Sequence, residues 1–219
     1  MAIQLRDYQQ DIIHKARQAM RRSRRVLLQA PTGAGKTALA SFMAGETATR
    51  NQGCWFICHR AELVLQTSLT FRKFGIAHAF IAAGQPMNLR ELVQIASIDT
   101  LKGRLAQLIP PKVAIVDEAH HSGAAGWALV IQWLTENGAY VVGLSATPQR
   151  LDGQGLDAHF DEIVLGPSVA WLIEQGHLSR YRVFAPDVPD MKGVRRQMGD
   201  FGKKDAAEKM DKPKLTGNI

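Results

Sequence analysis

Residues 26–44 read VLLQAPTGAGKTALASFMA, and this stretch decides the fold. It opens with a short apolar run, passes through a glycine-rich turn and ends in residues that favour helices. The stretch therefore predicts a strand, a loop and a helix in that order. Because such a turn points successive backbone N–H groups at one place, and the helix N-terminus adds partial positive charge, the loop is expected to bind an anion.

The rest of the chain continues the alternation of strands and helices. Further short apolar runs occur at 55–58, 79–82, 93–96, 113–116, 141–144 and 163–165. Segments with helical spacing of apolar residues occur at 8–20, 61–74 and 127–136. The pattern predicts an α/β fold around a mostly parallel sheet, with helices on both faces.

Composition excludes several classes of protein. Of the 219 residues, 46% are hydrophobic and 21% charged, which excludes wholesale disorder and fibrous structure. The apolar runs are far shorter than the roughly 20 residues that a bilayer requires, and the N-terminus lacks the apolar core of a secretory signal. We therefore expect a soluble, cytoplasmic chain without a membrane partner.

The net charge of +7 suits a nucleic-acid partner, although many basic proteins have none. Four arginines crowd the end of the first predicted helix: Arg21, Arg22, Arg24 and Arg25. Such a cluster fits a solvated surface as well as a binding surface.

The cysteines and three of the tryptophans are expected in the core, and the adjacent histidines do not indicate a metal site. Cys54 and Cys58 match neither a redox nor a zinc pattern, and a buried strand would place both on one face. Trp127, Trp133 and Trp171 lie in helix-like segments and are expected in the core rather than as platforms for bases. His120 and His121 lack a third ligand at a recognisable spacing, so zinc is not predicted.

The glycine-rich loop has the composition of a phosphate site. Gly33 and Gly35 permit the required backbone, Lys36 would reach the β- and γ-phosphates, and Thr37 would coordinate magnesium. Ala30 occupies the place of the first glycine in the usual GxxxxGK[ST] pattern, which is one departure from it.

An acidic pair follows the apolar run at 113–116. Ligands in open α/β sheets lie beyond the carboxyl ends of the strands, so Asp117 is expected to face the same crevice as Lys36. Its carboxylate would hold Mg²⁺, usually through water. Glu118 would orient and deprotonate an attacking water molecule.

With both elements in place, the sequence resembles the superfamily 2 helicases and translocases of the DEAD/DEAH type, whose first domain is RecA-like. Their motif I frequently begins with alanine, which accounts for Ala30. The resemblance implies that ATP is bound by the loop residues Thr32, Gly33, Ala34, Gly35, Lys36 and Thr37. It implies that the catalytic residues are Lys36, Asp117, Glu118 and His120, with motif II spanning the last three.

Other motifs of that family have counterparts here. Motif III, which couples hydrolysis to domain movement, matches Ser145, Ala146 and Thr147, and the family links it to motif II through His120. Gln9 in the segment 5–9 resembles the glutamine that recognises adenine, which favours ATP over GTP.

The resemblance also implies a partner. The segments 58–63 and 96–101 are similar to nucleic-acid-contacting segments of the family, which implies backbone contacts by His59, Arg60, Ser97 and Thr100. The run at 143–153 is similar to the version in bacterial and phage members related to restriction-enzyme motors. DNA is therefore the favoured partner, and RNA is possible.

The domain organisation implied is incomplete for such a motor. Residues 1–185 match the RecA-like ATP-binding domain, and residues 186–219, rich in glycine, proline and charge, read as a linker or tail towards an absent second RecA-like domain. No QxxGRxxR element is present. Because arginine fingers contribute on the order of 10³ to 10⁵ in rate, we expect this chain to hydrolyse ATP poorly unless a second domain acts in cis or in trans.

Two other functions remain open from the sequence. A naturally short nucleotide-binding module that regulates a partner without turnover has the same loop. A metabolic P-loop kinase would share the loop too, but motifs II and III argue against it.

Overall fold

The computed structural model describes residues 4–121, 125–147 and 159–181, together with the short segments 196–197 and 200–201. The chain divides into two compact units, Met1–Leu178 and Ser179–Ile219. In the second unit, strands β8 (Arg196–Gln197) and β9 (Asp200–Phe201) pair antiparallel. Most of the predicted tail at 186–219, and residues 148–153 of the restriction-motor run, lie outside the described residues.

The first unit is built on one sheet, which has seven strands among the described residues. They are β1 (Arg25–Gln29), β2 (Cys54–Cys58), β3 (Ala79–Ile81), β4 (Val93–Ser97), β5 (Val113–Val116), β6 (Tyr140–Ser145) and β7 (Glu162–Leu165). Their order across the sheet is β3-β4-β2-β5-β6-β1-β7, and every neighbouring pair is parallel. Each apolar run of the sequence is a strand, so the predicted α/β fold is confirmed.

Helices lie before, between and after these strands. They are α1 (Asp7–Ala19), α2 (Lys36–Thr49), α3 (Ala61–Lys73), α4 (Ile98–Lys102), α5 (Ala125–Glu136) and α6 (Val169–Glu174). The helical segments predicted from spacing correspond to α1, α3 and α5, and α2 is the helix predicted after the glycine-rich loop. Helices α4 and α6 are too short to show a period, and each is preceded by a serine whose hydroxyl accepts a backbone N–H of the first turn.

Two apolar layers cover the sheet, one on each face. Strand β2 shows the division, because Cys54, Phe56 and Cys58 belong to one layer while Trp55 and Ile57 belong to the other. The two cysteines are free, buried and on the same face, so their predicted packing role is confirmed.

Three of the four clustered arginines after α1 contact other parts of the fold. Their contacts join Arg22 to Glu162, Arg24 to the carbonyl oxygen of Gly138, and Arg25 to Asp161. These contacts lie at the amino end of β1, whereas the glycine-rich loop follows its carboxyl end. The cluster therefore ties the start of β1, and the turn before it, to the chain at the starts of the neighbouring strands β6 and β7.

The tryptophans divide between core and surface. Trp127 is buried, and Trp133 stacks on Trp55 with the ring centroids 6.1 Å apart. Trp171 was expected in the core but is 39% exposed, because Leu172 is the buried residue of the short helix α6, while the Trp171 ring lies against those of Tyr8 and His177. No helix in the described part of the chain is long and apolar enough to cross a membrane.

Candidate functional site

The glycine-rich loop joins the carboxyl end of β1 to the first turn of α2. Gly33 and Gly35 have φ angles of +84° and +82°, which glycine adopts without the strain that a side chain would bring. Gly35 is the residue before the first turn of α2, and no side chain caps that helix. The first N–H groups of α2 are thus available to an anionic ligand at the helix N-terminus.

Lys36 begins α2 and folds back over the loop. Its Nζ donates a hydrogen bond of 3.2 Å to the carbonyl oxygen of Ala30. Thr32 and Thr37 are exposed on either side, while Ala34 is fully buried. The ammonium group therefore lies over the loop, with the two threonine side chains beside it facing solvent.

Asp117 follows β5 directly and lies within electrostatic range of the loop. Its N–H donates to the carbonyl oxygen of Ile57, which continues the pairing of β5 with β2. Burial raises the pKa of Asp117, and the neighbouring Glu118 carboxylate raises it further, while Lys36 and His59 act in the opposite direction. The carboxylate is thus partly desolvated in a place where a cation would stabilise its charge.

Glu118 connects the acidic pair to the strand beside it. Its φ of +49° is unusual for a residue with a side chain and turns the backbone sharply after Asp117. Its carboxylate lies 3.2 Å from Nδ1 of His120, and the same nitrogen lies 3.5 Å from Oγ of Ser145 at the end of β6. His120 therefore lies between Glu118 and Ser145.

The segment 145–147 is held in turn by two further contacts. The Ser145 hydroxyl donates to the carbonyl oxygen of Thr147 at 2.6 Å and accepts the Thr147 N–H at 3.2 Å. The carbonyl oxygen of Ala146 accepts from Nε2 of Gln29, the last residue of β1. The end of β6 is thereby joined to the strand that leads into the glycine-rich loop.

Gln9 lies under the loop from the side of α1. The side chain is 5% exposed, with Oε1 accepting from the Arg6 N–H and Nε2 donating to the carbonyl oxygen of Ala34, both at 3.0 Å. A Cβ on Gly35 would lie 2.4 Å from this Nε2. Gln9 therefore reaches the site, and both ends of its amide already contact the protein.

The residues expected to contact nucleic acid lie at the same carboxyl edge, after β2 and β4. Arg60 is exposed, whereas His59 is half-buried close to Asp117. The Ser97 hydroxyl caps α4, and Thr100 Oγ1 lies 3.0 Å from it while accepting the Ala83 N–H. Of the four, Ser97 and Thr100 also stabilise their own loop.

Two residues at the site escaped the sequence reasoning. Tyr8 begins a segment whose apolar residues have helical spacing, yet its hydroxyl donates to the carbonyl oxygen of Ala34 at 3.0 Å. A buried tyrosine requires a hydrogen-bond partner, and that was the available signal. Leu178 contacts Gly33, where a Cβ would lie 2.6 Å from its Cδ2; no local pattern indicates this contact.

The residues present fit a nucleotide with magnesium. The loop offers backbone N–H groups and a lysine, which match phosphate oxygens. Within the described residues no group of three His, Cys, Asp or Glu side chains could hold a metal ion. A cation beside Asp117 and Thr37 would therefore share the phosphate oxygens of a bound ligand, as Mg²⁺ does in nucleotide sites.

Comparison with known proteins gives a family. Residues 2–150 match the family model described as "Type III restriction enzyme, res subunit". The chain is 28% identical over 175 residues to a 51.5 kDa protein of a Lactococcus phage (isolate 7-9), which covers 80% of this chain and 36% of the phage protein.

A curated archaeal protein and a solved structure are also similar. The DNA 3'-5' translocase XPB2 of Sulfurisphaera tokodaii is 28% identical over 169 residues, which is 76% of this chain and 35% of that protein. The helicase domain of Pyrococcus furiosus Hef superposes with a TM-score of 0.60 at 23% identity, covering 74% of this chain and 38% of that one.

The chain thus spans 26–36% of the length of the curated relatives it matches. The match to the family model extends from the segment of Gln9 through the loop, the acidic pair and the end of β6. The chain belongs to the family of the type III restriction enzyme res subunit, and its fold is similar to that of the Hef helicase domain.

Proposed function

We propose that this chain is the ATP-binding motor domain of a nucleic-acid helicase or translocase. The observation that carries the proposal is the convergence of Lys36 and Asp117 at one edge of the sheet, with His120 joining Glu118 to Ser145. Lys36 suits a phosphate group and Asp117 suits its cation. His120 connects the acidic pair to the end of strand β6. Membership of the family supports the same function.

Each residue has a role in this proposal. Backbone N–H groups of residues 33–37 and the Lys36 ammonium bind the phosphates, while Thr37 and Asp117 hold Mg²⁺. Glu118 orients the attacking water and accepts its proton. Gln9 recognises adenine with the remaining N–H of its amide, because one hydrogen of Nε2 already bonds Ala34.

DNA is the proposed nucleic-acid partner. The similar archaeal protein is a DNA translocase by name, and Arg60 is exposed at the carboxyl edge of the sheet, where it suits a phosphate backbone.

Ser145, Ala146 and Thr147 transmit the state of the phosphate site through His120.

Turnover in this proposal needs a second RecA-like domain, in cis or in trans. The chain alone binds Mg-ATP and hydrolyses it slowly, because a finger arginine supplies on the order of 10³ to 10⁵ in rate in related enzymes.

The test measures nucleotide affinity first. Wild-type chain, Lys36→Ala and Asp117→Asn are compared by titration with a fluorescent ATP analogue, with and without Mg²⁺. We expect Lys36→Ala to weaken binding by at least about tenfold, since charge-assisted hydrogen bonds contribute roughly 1.5–3 kcal/mol. Asp117→Asn should abolish the gain in affinity from Mg²⁺. Lys15→Ala, which removes an exposed lysine of α1 that pairs with Asp11, is the matched control.

Turnover is measured next, with single-stranded DNA, double-stranded DNA or RNA, and after addition of a second RecA-like domain in trans. Stimulation by DNA that Lys36→Ala abolishes supports the proposal. Equal affinity of wild type and Lys36→Ala for ATP would contradict nucleotide binding at this loop. Fast hydrolysis by the chain alone, insensitive to Lys36→Ala, would contradict the need for a second domain.

A further inference from the structure

One carbonyl group of the glycine-rich loop receives two side-chain donors from α1. The Tyr8 hydroxyl and Gln9 Nε2 each lie 3.0 Å from the carbonyl oxygen of Ala34. Ala34 is fully buried, so these donors replace water at that oxygen. Two hydrogen bonds from adjacent residues of a rigid helix hold the Ala34–Gly35 peptide in one orientation.

That orientation determines where the next N–H group points. In a trans peptide the C=O and N–H bonds point in opposite directions. Because the Ala34 carbonyl points at α1, the Gly35 N–H points away from α1. Gly35 directly precedes α2, at the end of the helix where the anion is expected.

The Tyr8 ring is itself held in place from a distant part of the chain. Its centroid lies 6.0 Å from that of Trp171 in α6, edge to face, and 4.9 Å from that of His177. Trp171 and His177 also contact each other, with centroids 6.0 Å apart. Leu178, the next residue, packs on Gly33 of the loop.

The geometry points to Tyr8 as a positioning residue for phosphate binding, held in place by the rings of Trp171 and His177. This inference rests on the proposed function, because it requires that the loop binds phosphate groups. It adds that the orientation of the Gly35 N–H is set by the Tyr8 hydroxyl and braced by the segment after β7. Tyr8 itself does not touch the ligand.

The test removes only the hydroxyl. Tyr8→Phe keeps the ring contacts and loses the hydrogen bond to Ala34, while Thr47→Val is the matched control. Thr47 also donates a buried hydroxyl to a backbone carbonyl, that of Met43 at 2.7 Å, but in the later turns of α2. Affinities for Mg-ATP, inorganic tripolyphosphate and adenosine are measured by competition against a fluorescent ATP analogue, and thermal unfolding verifies that each variant is folded.

We expect Tyr8→Phe to weaken Mg-ATP and tripolyphosphate by the same factor, about three- to tenfold, which is the effect of one net hydrogen bond. Adenosine should compete as it does with wild type, and Thr47→Val should leave all three affinities within about twofold. Trp171→Ala, at a partly exposed site, should weaken the binding of tripolyphosphate by a smaller factor than Tyr8→Phe does.

Three results would overturn the inference. The first is unchanged tripolyphosphate affinity in Tyr8→Phe. The second is an equal loss in Tyr8→Phe and Thr47→Val, which would indicate a general effect on stability. The third is a loss for adenosine without a loss for tripolyphosphate, which would place Tyr8 at the base. If wild type binds ATP no better than Lys36→Ala, the proposed function fails instead, and the two failures are thus distinguishable.

Discussion

Single residues at this site perform more than one task, and Gln9 is the clearest case. Its amide caps the first turn of α1 through the Arg6 N–H and also bonds the glycine-rich loop at Ala34. A substitution of Gln9 would therefore disturb the helix and the loop together with any contact to a base. Tyr8 is a better probe of the loop alone, because within the described residues its hydroxyl bonds only the carbonyl oxygen of Ala34.

The two cysteines allow a prediction at the same scale. Burial raises the pKa of both Cys54 and Cys58 to about 12, and the charge of Asp117 adds to the effect at Cys58. Because the raised pKa favours the thiol, only roughly one part in ten thousand is thiolate at pH 8. We expect a thiol reagent such as iodoacetamide to leave the folded chain unmodified at this pH and to label both cysteines after unfolding in guanidinium.

The measurement is the mass of the chain after timed exposure to the reagent. Labelling of the folded chain at the rate of a free cysteine would contradict the burial of strand β2. Mg²⁺ and nucleotide should leave the folded chain unlabelled, since both thiols are buried in strand β2.

At the scale of elements, the glycine in β6 shows how closely the segments after β5 and before β7 pack. A Cβ on Gly143 would lie 2.5 Å from Cζ of Phe160 and 2.9 Å from Cβ of Ala119. Gly143 pairs with Leu27 of β1 and Val116 of β5, so the sheet cannot move aside. The turn that carries Glu118 and His120 therefore packs directly on the sheet at Gly143.

We predict that Gly143→Ala lowers the free energy of unfolding by about 1–3 kcal/mol, the usual cost of overpacking a core. Urea unfolding measures the change. Gly103→Ala is the matched control, because the nearest atom to a Cβ there is 3.9 Å away, and we expect a change within about 0.5 kcal/mol. Phe160→Leu should restore part of the loss in the double variant, and the absence of any restoration would assign the loss to another contact.

At the scale of the whole molecule, the first compact unit ends at Leu178, the residue that packs on Gly33. The segment 168–178 therefore belongs to the RecA-like unit although it follows the last strand of the sheet. The sequence placed the end of this domain at 185, and that boundary stays a prediction.

A truncation series tests which residues the unit needs. We expect a chain ending at residue 181 to keep the thermal stability of the unit and its affinity for Mg-ATP. A chain ending at residue 174 lacks His177 and Leu178, and it should bind Mg-ATP several-fold more weakly, since it loses the support behind Tyr8 and Gly33. Equal affinity of the two truncated chains would show that this segment does not support the loop.

Much of the molecule follows from local sequence. The sequence predicts the loop at residues 30–37, the acidic pair after an apolar run and the order of strands and helices. These features are predictable because backbone hydrogen bonding and glycine conformations depend on near neighbours. Parallel strands also place their carboxyl ends at one edge, so the meeting of Lys36 and Asp117 could be expected without coordinates.

Only the tertiary structure decided the contacts between distant segments. Three contacts show this: the Tyr8 hydroxyl bonds the glycine-rich loop, Leu178 packs on Gly33, and His120 lies between Glu118 and Ser145. Each contact depends on how distant segments of the chain pack. The spacing of apolar side chains predicts whether a segment is a helix or a strand. It does not predict which distant segment a crossover connection brings beside it. The sequence by itself thus determined which groups form the proposed phosphate site, and the packing of the remote segments decided which side chains contact those groups.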